Sequence, residues 1–135
     1  MIYAAVKDAV EQVGALADKC FPAGVCIDDV AMPCAVYSFG KRKAIRDLSG
    51  QVHHYTDEAI VDVLAEDYDT VHQLAWEVEC ALSDLAQQPD GAGAYIFGVD
   101  CGTPENDGAD FSLGLMRRSV QATLQWCPLE DDAGG

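Results

Sequence analysis

Apolar residues recur at steps of three and four from Ile2 through Val6, Val10 and Val13 to Ala17, while Lys7, Asp8, Glu11 and Asp18 take the opposite side. That is the period of a helix with one buried stripe, so residues 2–19 are expected to form an amphipathic helix that needs a partner. The following FPAGVCIDDVAMP holds two prolines, a glycine and an acidic pair, and reads as a loop with one short strand around Val25 to Ile27. PCAVYSFG is rich in β-branched and aromatic residues between Pro33 and Gly40, which predicts a strand. From about residue 54 to 66, Ala59, Val61, Val63 and Ala65 alternate with their neighbours, predicting a second strand with a small, branched inner face.

Asp69 and Thr70 offer helix caps, and Thr70 with Gln73 has capping-box spacing. Val71, Leu74, Ala75, Val78, Leu82 and Leu85 then form one helical stripe, which Pro89, Asp90 and Gly91 end. AYIFGVDC at 94–101 predicts a third strand, and the polar GTPENDGAD after it a loop. Between Ser119 and Trp126 the alternation is strict, with Val120, Ala122, Leu124 and Trp126 on one side. Leu113 and Leu115 have the opposite parity, which calls for a bulge or break near Met116 to Arg118. One wet face and one apolar face belong to an antiparallel sheet covered on one side. The expected fold is therefore α+β: a two-layer sandwich, an antiparallel four-stranded sheet with two helices packed on one face, in the order α-β-β-α-β-β.

A chain of 135 residues suffices for one core. A single α+β domain is expected over residues 1–128, with 129–135 an acidic, disordered tail. Charge changes the picture more than length does. Eight Lys and Arg stand against 23 Asp and Glu, a net charge of -15, and such a surface repels nucleic acid and anionic lipid. The longest charge-free stretches, residues 30–40 and 119–129, are shorter than the roughly 20 residues a membrane helix needs. Lys7, Asp8 and Glu11 interrupt any secretory apolar region after Met1, so a cytosolic location is expected. In that setting the six cysteines are not a disulfide framework. Cys20, Cys34, Cys80, Cys101 and Cys127 lie among apolar residues and read as buried thiols. No two cysteines stand two to four residues apart, which argues against structural zinc.

Signals of catalysis are absent from the sequence. No serine sits in a G-x-S-x-G turn, and the GAG at 91–93 precedes a strand instead of opening a helix, so it reads as a turn. The acidic pairs Asp28-Asp29, Asp57-Glu58 and Asp131-Asp132 lack calcium-loop spacing and read as solvated surface. Neighbouring His53 and His54 are expected to point to opposite faces of a strand, with His72 in the first turn of a helix. The expectation is a protein that is not an enzyme, with no catalytic, cofactor-binding or metal-binding residues and no cofactor.

Positive charge is concentrated. Lys41, Arg42, Lys43 and Arg46 are half of the basic residues, and their segment KRKAIR carries +4 while the rest of the chain carries -19. Placed on the connection between two strands, they form a basic tip on an acidic body. That tip suits head-to-tail contact between identical subunits or docking on an acidic partner. The plainer alternative is a solvated hairpin end. On either reading, reversing Arg42 and Lys43 should leave folding almost unaffected.

Taken in order, these features resemble the tail-terminator, or tail-completion, proteins of long-tailed bacteriophages and prophages. The resemblance runs through the N-terminal amphipathic helix, the strand PCAVYSFG, the basic segment leading into DLSG at 47–50, the strand-to-helix run EAIVDVLAEDYDTVHQLAWEVECAL, and the final RRSVQATLQW strand. It implies a non-enzymatic assembly part of the virion: a homo-oligomeric, hexameric ring that caps the tail tube protein and joins it to the head-side connector protein. Assembly would take place in the bacterial cytoplasm, and DNA would pass through the ring at the head–tail junction without specific binding. Two alternatives stay open. One is another neck component, such as a head-closure or minor capsid protein; the other is an acidic DNA mimic that inhibits a nucleic-acid enzyme, for which the net charge is apt.

Overall fold

The first helix ends early because the backbone turns extended at Val13, with φ of -68° and ψ of 114°, values a helix does not allow. Helix α1 spans Ile2–Glu11, and a single 3-10 turn at Gly14–Leu16 follows. The expected helix to residue 19 is corrected accordingly: Leu16, not Ala17, is the buried residue there, and Asp18 turns the chain with a positive φ of 58°. The structure, a computed structural model, describes residues 2–24, 31–86, 88–89, 94–102, 108–110 and 115–128. The strand expected at Val25–Ile27, the GAG turn, the acidic pairs Asp28-Asp29 and Asp131-Asp132, and the tail at 129–135 lie outside those residues.

The chain continues through β1 (Cys20–Pro22), β2 (Cys34–Phe39), β3 (Lys43–Arg46), β4 (Val52–Ala65), α2 (Tyr68–Ser83), β5 (Gln88–Pro89), β6 (Ala94–Gly102), β7 (Gly108–Asp110) and β8 (Leu115–Pro128). The sheet order is β1-β2-β4-β8-β6-β5, with β3 beside β4 and β7 beside β8. β1 runs parallel to β2, and the other pairings are antiparallel. The fold is thus α+β, but its sheet is mixed and larger than the four antiparallel strands expected, and the order α-β-β-α-β-β is not the one found. The four long strands β2, β4, β6 and β8 answer to the periodic segments of the sequence. The additional ones are two to four residues long, too short for alternation to declare itself. β7 also occupies part of the segment expected to be loop.

β4 and β8 pair without interruption from Tyr55 opposite Trp126 to Ala65 opposite Met116. The bulge expected at Met116–Arg118 is therefore absent; the even-numbered residues of β8 keep one face throughout, and the irregularity falls in β6 between Ile96 and Gly98. On the inner face Ala59, Val61 and Val63 sit beside Val120, Ala122 and Leu124. Both helices close over this row, with Val6 and Val10 from α1 and Val71, Leu74, Val78 and Leu82 from α2 in the same core. Small and branched side chains in the strands let the helices approach closely, so one continuous core serves all layers.

Asp67, not Thr70, caps α2. One Asp67 carboxylate oxygen accepts from the Thr70 backbone N–H at 2.8 Å and the other from the Thr70 hydroxyl at 2.7 Å, which replaces the expected Thr70–Gln73 capping box. These bonds, that from the hydroxyl first, hold the Asp67 carboxyl below the usual aspartate range. The cysteines divide: Cys20 and Cys34 are buried, Cys101 and Cys127 half-buried, and Cys80 exposed. Cys80 corrects the expectation because it lies off the inner stripe of α2. Desolvation by burial pushes the Cys20 thiol up to about 12, which leaves it inert as a nucleophile. Among the described residues, no helix is long and apolar enough to cross a membrane.

Two outcomes follow. Leu124 is fully buried and Gln121 only partly, so Leu124→Ala should destabilise by about 2–5 kcal/mol and Gln121→Ala by much less; chemical denaturation of both variants checks the register, and the reverse ranking would refute it. The contribution of Asp67 requires its ionised form. Because its folded pKa is depressed, that contribution is complete above the ordinary aspartate value of about 4 and disappears as pH falls through the lower folded value. Asp67→Ala should lower the melting temperature at neutral pH, with the gap to the parent closing in strong acid.

Candidate functional site

β2 and β3 follow one another along the same edge of β4. The Gly40 amide donates to the Glu58 carbonyl at 2.8 Å, still in the β2 register, while Lys43 already lies opposite Thr56. Three steps on one side match two on the other, so one residue is surplus and the strand is offset as at a bulge. The basic segment therefore runs along the edge of the sheet and is not the hairpin end. The end is DLSG. There the Asp47 carboxylate accepts from the Ser49 amide, the Ser49 hydroxyl and the Gln51 amide at 2.9, 2.6 and 3.0 Å. Gly50, with φ of 88°, supplies the left-handed residue that closes the turn. The Ser49 contacts, first that of its hydroxyl, hold Asp47 below the ordinary carboxylate range.

Past Tyr55, β4 is paired with β3 alone, so the last part of the hairpin is a two-stranded arm beyond the central ladder. Arg46, Leu48, Val52 and His53 are exposed on it, Leu48 completely, while Lys43 is exposed on the strand edge that leads to it, opposite Thr56 inside the ladder. Arg46 donates to the Gly50 carbonyl at 2.9 Å across the base of the turn, and Lys41 is exposed at the offset.

Arg42 departs from this group. Continuing the β3 register by one step puts it opposite Asp57, the one buried charged residue among those described, with 3% of its surface accessible. Its Nε lies 2.9 Å from one Asp57 oxygen and 3.2 Å from the other, which also accepts from a terminal guanidinium nitrogen at 3.0 Å. The guanidinium carbon stands 5.0, 5.6 and 5.9 Å from the ring centres of Trp126, Tyr55 and Tyr3, within reach of cation–π attraction. The side-chain bond to Asp57 raises the Arg42 pKa, and the pair ties the start of α1 to β4 and β8. Asp57 is thus not the solvated surface expected of it. The signal was its parity, since it occupies the inner row of Ala59, Val61 and Val63.

The histidines depart too. His53 and His54, expected on opposite faces, bring their Nδ1 atoms within 2.7 Å. The cause is a register shift: Ile45 pairs with His54 and Arg46 with Val52, leaving His53 as an extra residue for which alternation fails. His72, expected in the first turn of a helix, is the fifth residue of α2 because the helix already starts at Tyr68, and it packs on Tyr68 one turn back, the ring centres 4.0 Å apart. Among the described residues no three His, Cys, Asp or Glu side chains are placed to hold a metal.

The outer side of α2 is the second feature that the sequence reading did not single out. Tyr68 and Trp76, 58% and 61% exposed, stand eight residues apart on one side of the helix with His72 between them. From Glu66 to Asp84 there are six carboxylates and no Lys or Arg. Trp76 separates two clefts, one toward Glu79 and Arg118 of β8, the other toward the turn after α1. Set beside known proteins, the chain matches no family model and no curated protein. The structure thus presents a basic strand edge leading into an apolar-tipped arm, and an acidic aromatic helix face.

Arg42 and Lys43, adjacent in sequence, should separate on mutation. Arg42→Ala strands a buried carboxylate and should cost about 1–3 kcal/mol, below the roughly 3–5 kcal/mol of an enclosed pair because the Arg42 side chain is 39% exposed and screened. Lys43→Glu should leave the melting temperature within error of the parent. Thermal melts check both, and equal effects would show that Asp57 does not depend on Arg42.

Proposed function

We propose that this protein is a non-enzymatic phage assembly part, a tail terminator that forms a hexameric ring, caps the tail tube and joins it to the head-side connector. The observation that carries the reading is the exposed basic strand edge and the arm it leads into, where Lys41, Lys43 and Arg46 stand on a body that is otherwise strongly acidic. Charge separated in this way on one subunit favours a contact in which one end of a molecule meets a different surface of the next, the geometry that generates rings. The core is already shared by both helices and the sheet within one chain, so association is available to the protein without being needed for its folding.

In this role the protein works by shape and charge, with no catalytic residue, cofactor or metal. An acidic ring lets DNA pass without specific binding, since it repels phosphate. The location is the head–tail junction of the virion, reached after assembly in the bacterial cytoplasm.

The test is electron microscopy of the purified protein mixed with tail tubes. Six-fold rings seated on tube ends are expected, together with tubes of limited length. Protein that leaves the ends bare, or that binds and blocks a nucleic-acid enzyme instead, would overturn the proposal.

A further inference from the structure

The groove between α2 and the turn that follows α1 has walls from Val13, Trp76, Cys80 and Ala81, with Glu77 and Asp84 also lining it. It is an open groove of mixed lining, apolar at Val13, Trp76 and Ala81 and polar at Gln12, Glu77 and Asp84, and the large, mostly exposed Trp76 ring has the character of an interface anchor. The arm is its chemical counterpart. Leu48 projects from the turn with its whole side chain in solvent, Val52 is exposed close behind it, and Lys43 and Arg46 supply cations on the strand that leads to it. The one carboxylate in the turn, Asp47, is bonded to Ser49 and Gln51 and keeps its charge, so from Lys43 to His53 two cations stand against one carboxylate and the stretch stays net basic. No described arm residue lines the groove of its own chain.

We infer that the groove beside Trp76 receives the hairpin arm of a second copy of this chain, with Leu48 against Val13, Trp76 and Ala81 and the cations Lys43 and Arg46 near Glu77 and Asp84. Each copy carries one arm and one groove on different surfaces, so the contact is heterologous and repeats from copy to copy until it closes. Apolar burial supplies affinity at the centre, and the charges set direction, since arm meeting arm or groove meeting groove places like charges together. The inference deepens the ring reading above and rests on it for the number of copies.

The test uses the native thiol of Cys80, which lies in the groove and is exposed. A Leu48→Cys chain treated with a short bismaleimide should run as dimers and higher multimers on a denaturing gel, with the introduced thiol joined to Cys80 by peptide mass spectrometry. Adding Cys80→Ser should abolish the multimers. In parallel, Lys43→Glu with Arg46→Glu, and separately Glu77→Lys with Asp84→Lys, should raise the concentration needed for association at least about tenfold, and all four changes in one chain should restore it. Melting temperatures confirm that each variant is folded. If the parent assembles but cross-links elsewhere, or if the charge variants assemble as the parent does, the groove is not the docking site while the ring reading stands. If the cross-link forms and tube ends stay bare, the groove is established and the terminator reading fails. A parent that stays monomeric under all conditions overturns both.

Discussion

The pairing of β4 with β8 runs unbroken from Tyr55 to Ala65, and the other elements take their position from it. Its inner row is made of small and branched residues, which lets α1 and α2 share one core across a flat surface. A break in this ladder would turn one half of each strand over, exposing Leu124 or Val61 and burying the polar row of Glu58, Asp62, Ser119 and Gln121. The polar row is itself engaged on the outside: the Ser119 hydroxyl donates to Asp62 and the Gln121 amide to Glu58 across the same two strands. Both faces therefore specify one register.

The ladder also decides what the basic segment can do. Where β3 continues past β2 with one residue to spare, Arg42 is directed inward and its neighbours outward. Four cations close together in sequence thus have two tasks. Arg42 neutralises Asp57 beside three aromatic rings and fixes the base of the arm, while Lys41 and Lys43 are exposed and Arg46 donates to the Gly50 carbonyl. A buried carboxylate is costly unless paired, so Asp57 makes the base of the arm dependent on Arg42. The arm is anchored electrostatically at the point where it leaves the body.

The sequence was legible where periodicity was long. β4, β8 and the inner stripe of α2 could be read because many consecutive residues obeyed one period, and the resulting α+β layering with helices on a single face follows from it. What was lost lay at irregularities. One surplus residue near Lys41 converted an expected hairpin end into a strand edge, another at His53 brought two histidines together, and an extended backbone at Val13 cut a helix short. None of these breaks the apolar count of its segment, so pattern alone does not register them. Asp57 shows the remaining gap: its parity pointed inward, but the cation that makes this tolerable lies fifteen residues earlier and is found only through the sheet register. The exposed Trp76 escaped notice because it lies in a helix whose inner stripe was complete without it.

The central claim is that a rigid two-strand ladder carries a separate, solvent-facing arm. Native-state hydrogen exchange resolved by residue tests it most directly. Amides within the β4–β8 ladder, such as those of Val61, Val63, Val120 and Ala122, should exchange only through global unfolding, whereas those of the arm on either side of the DLSG turn should exchange through smaller local openings that leave the ladder intact. Arm amides protected as strongly as the ladder in the isolated monomer would contradict the account, because the arm would then be part of the core body and not an element that opens on its own.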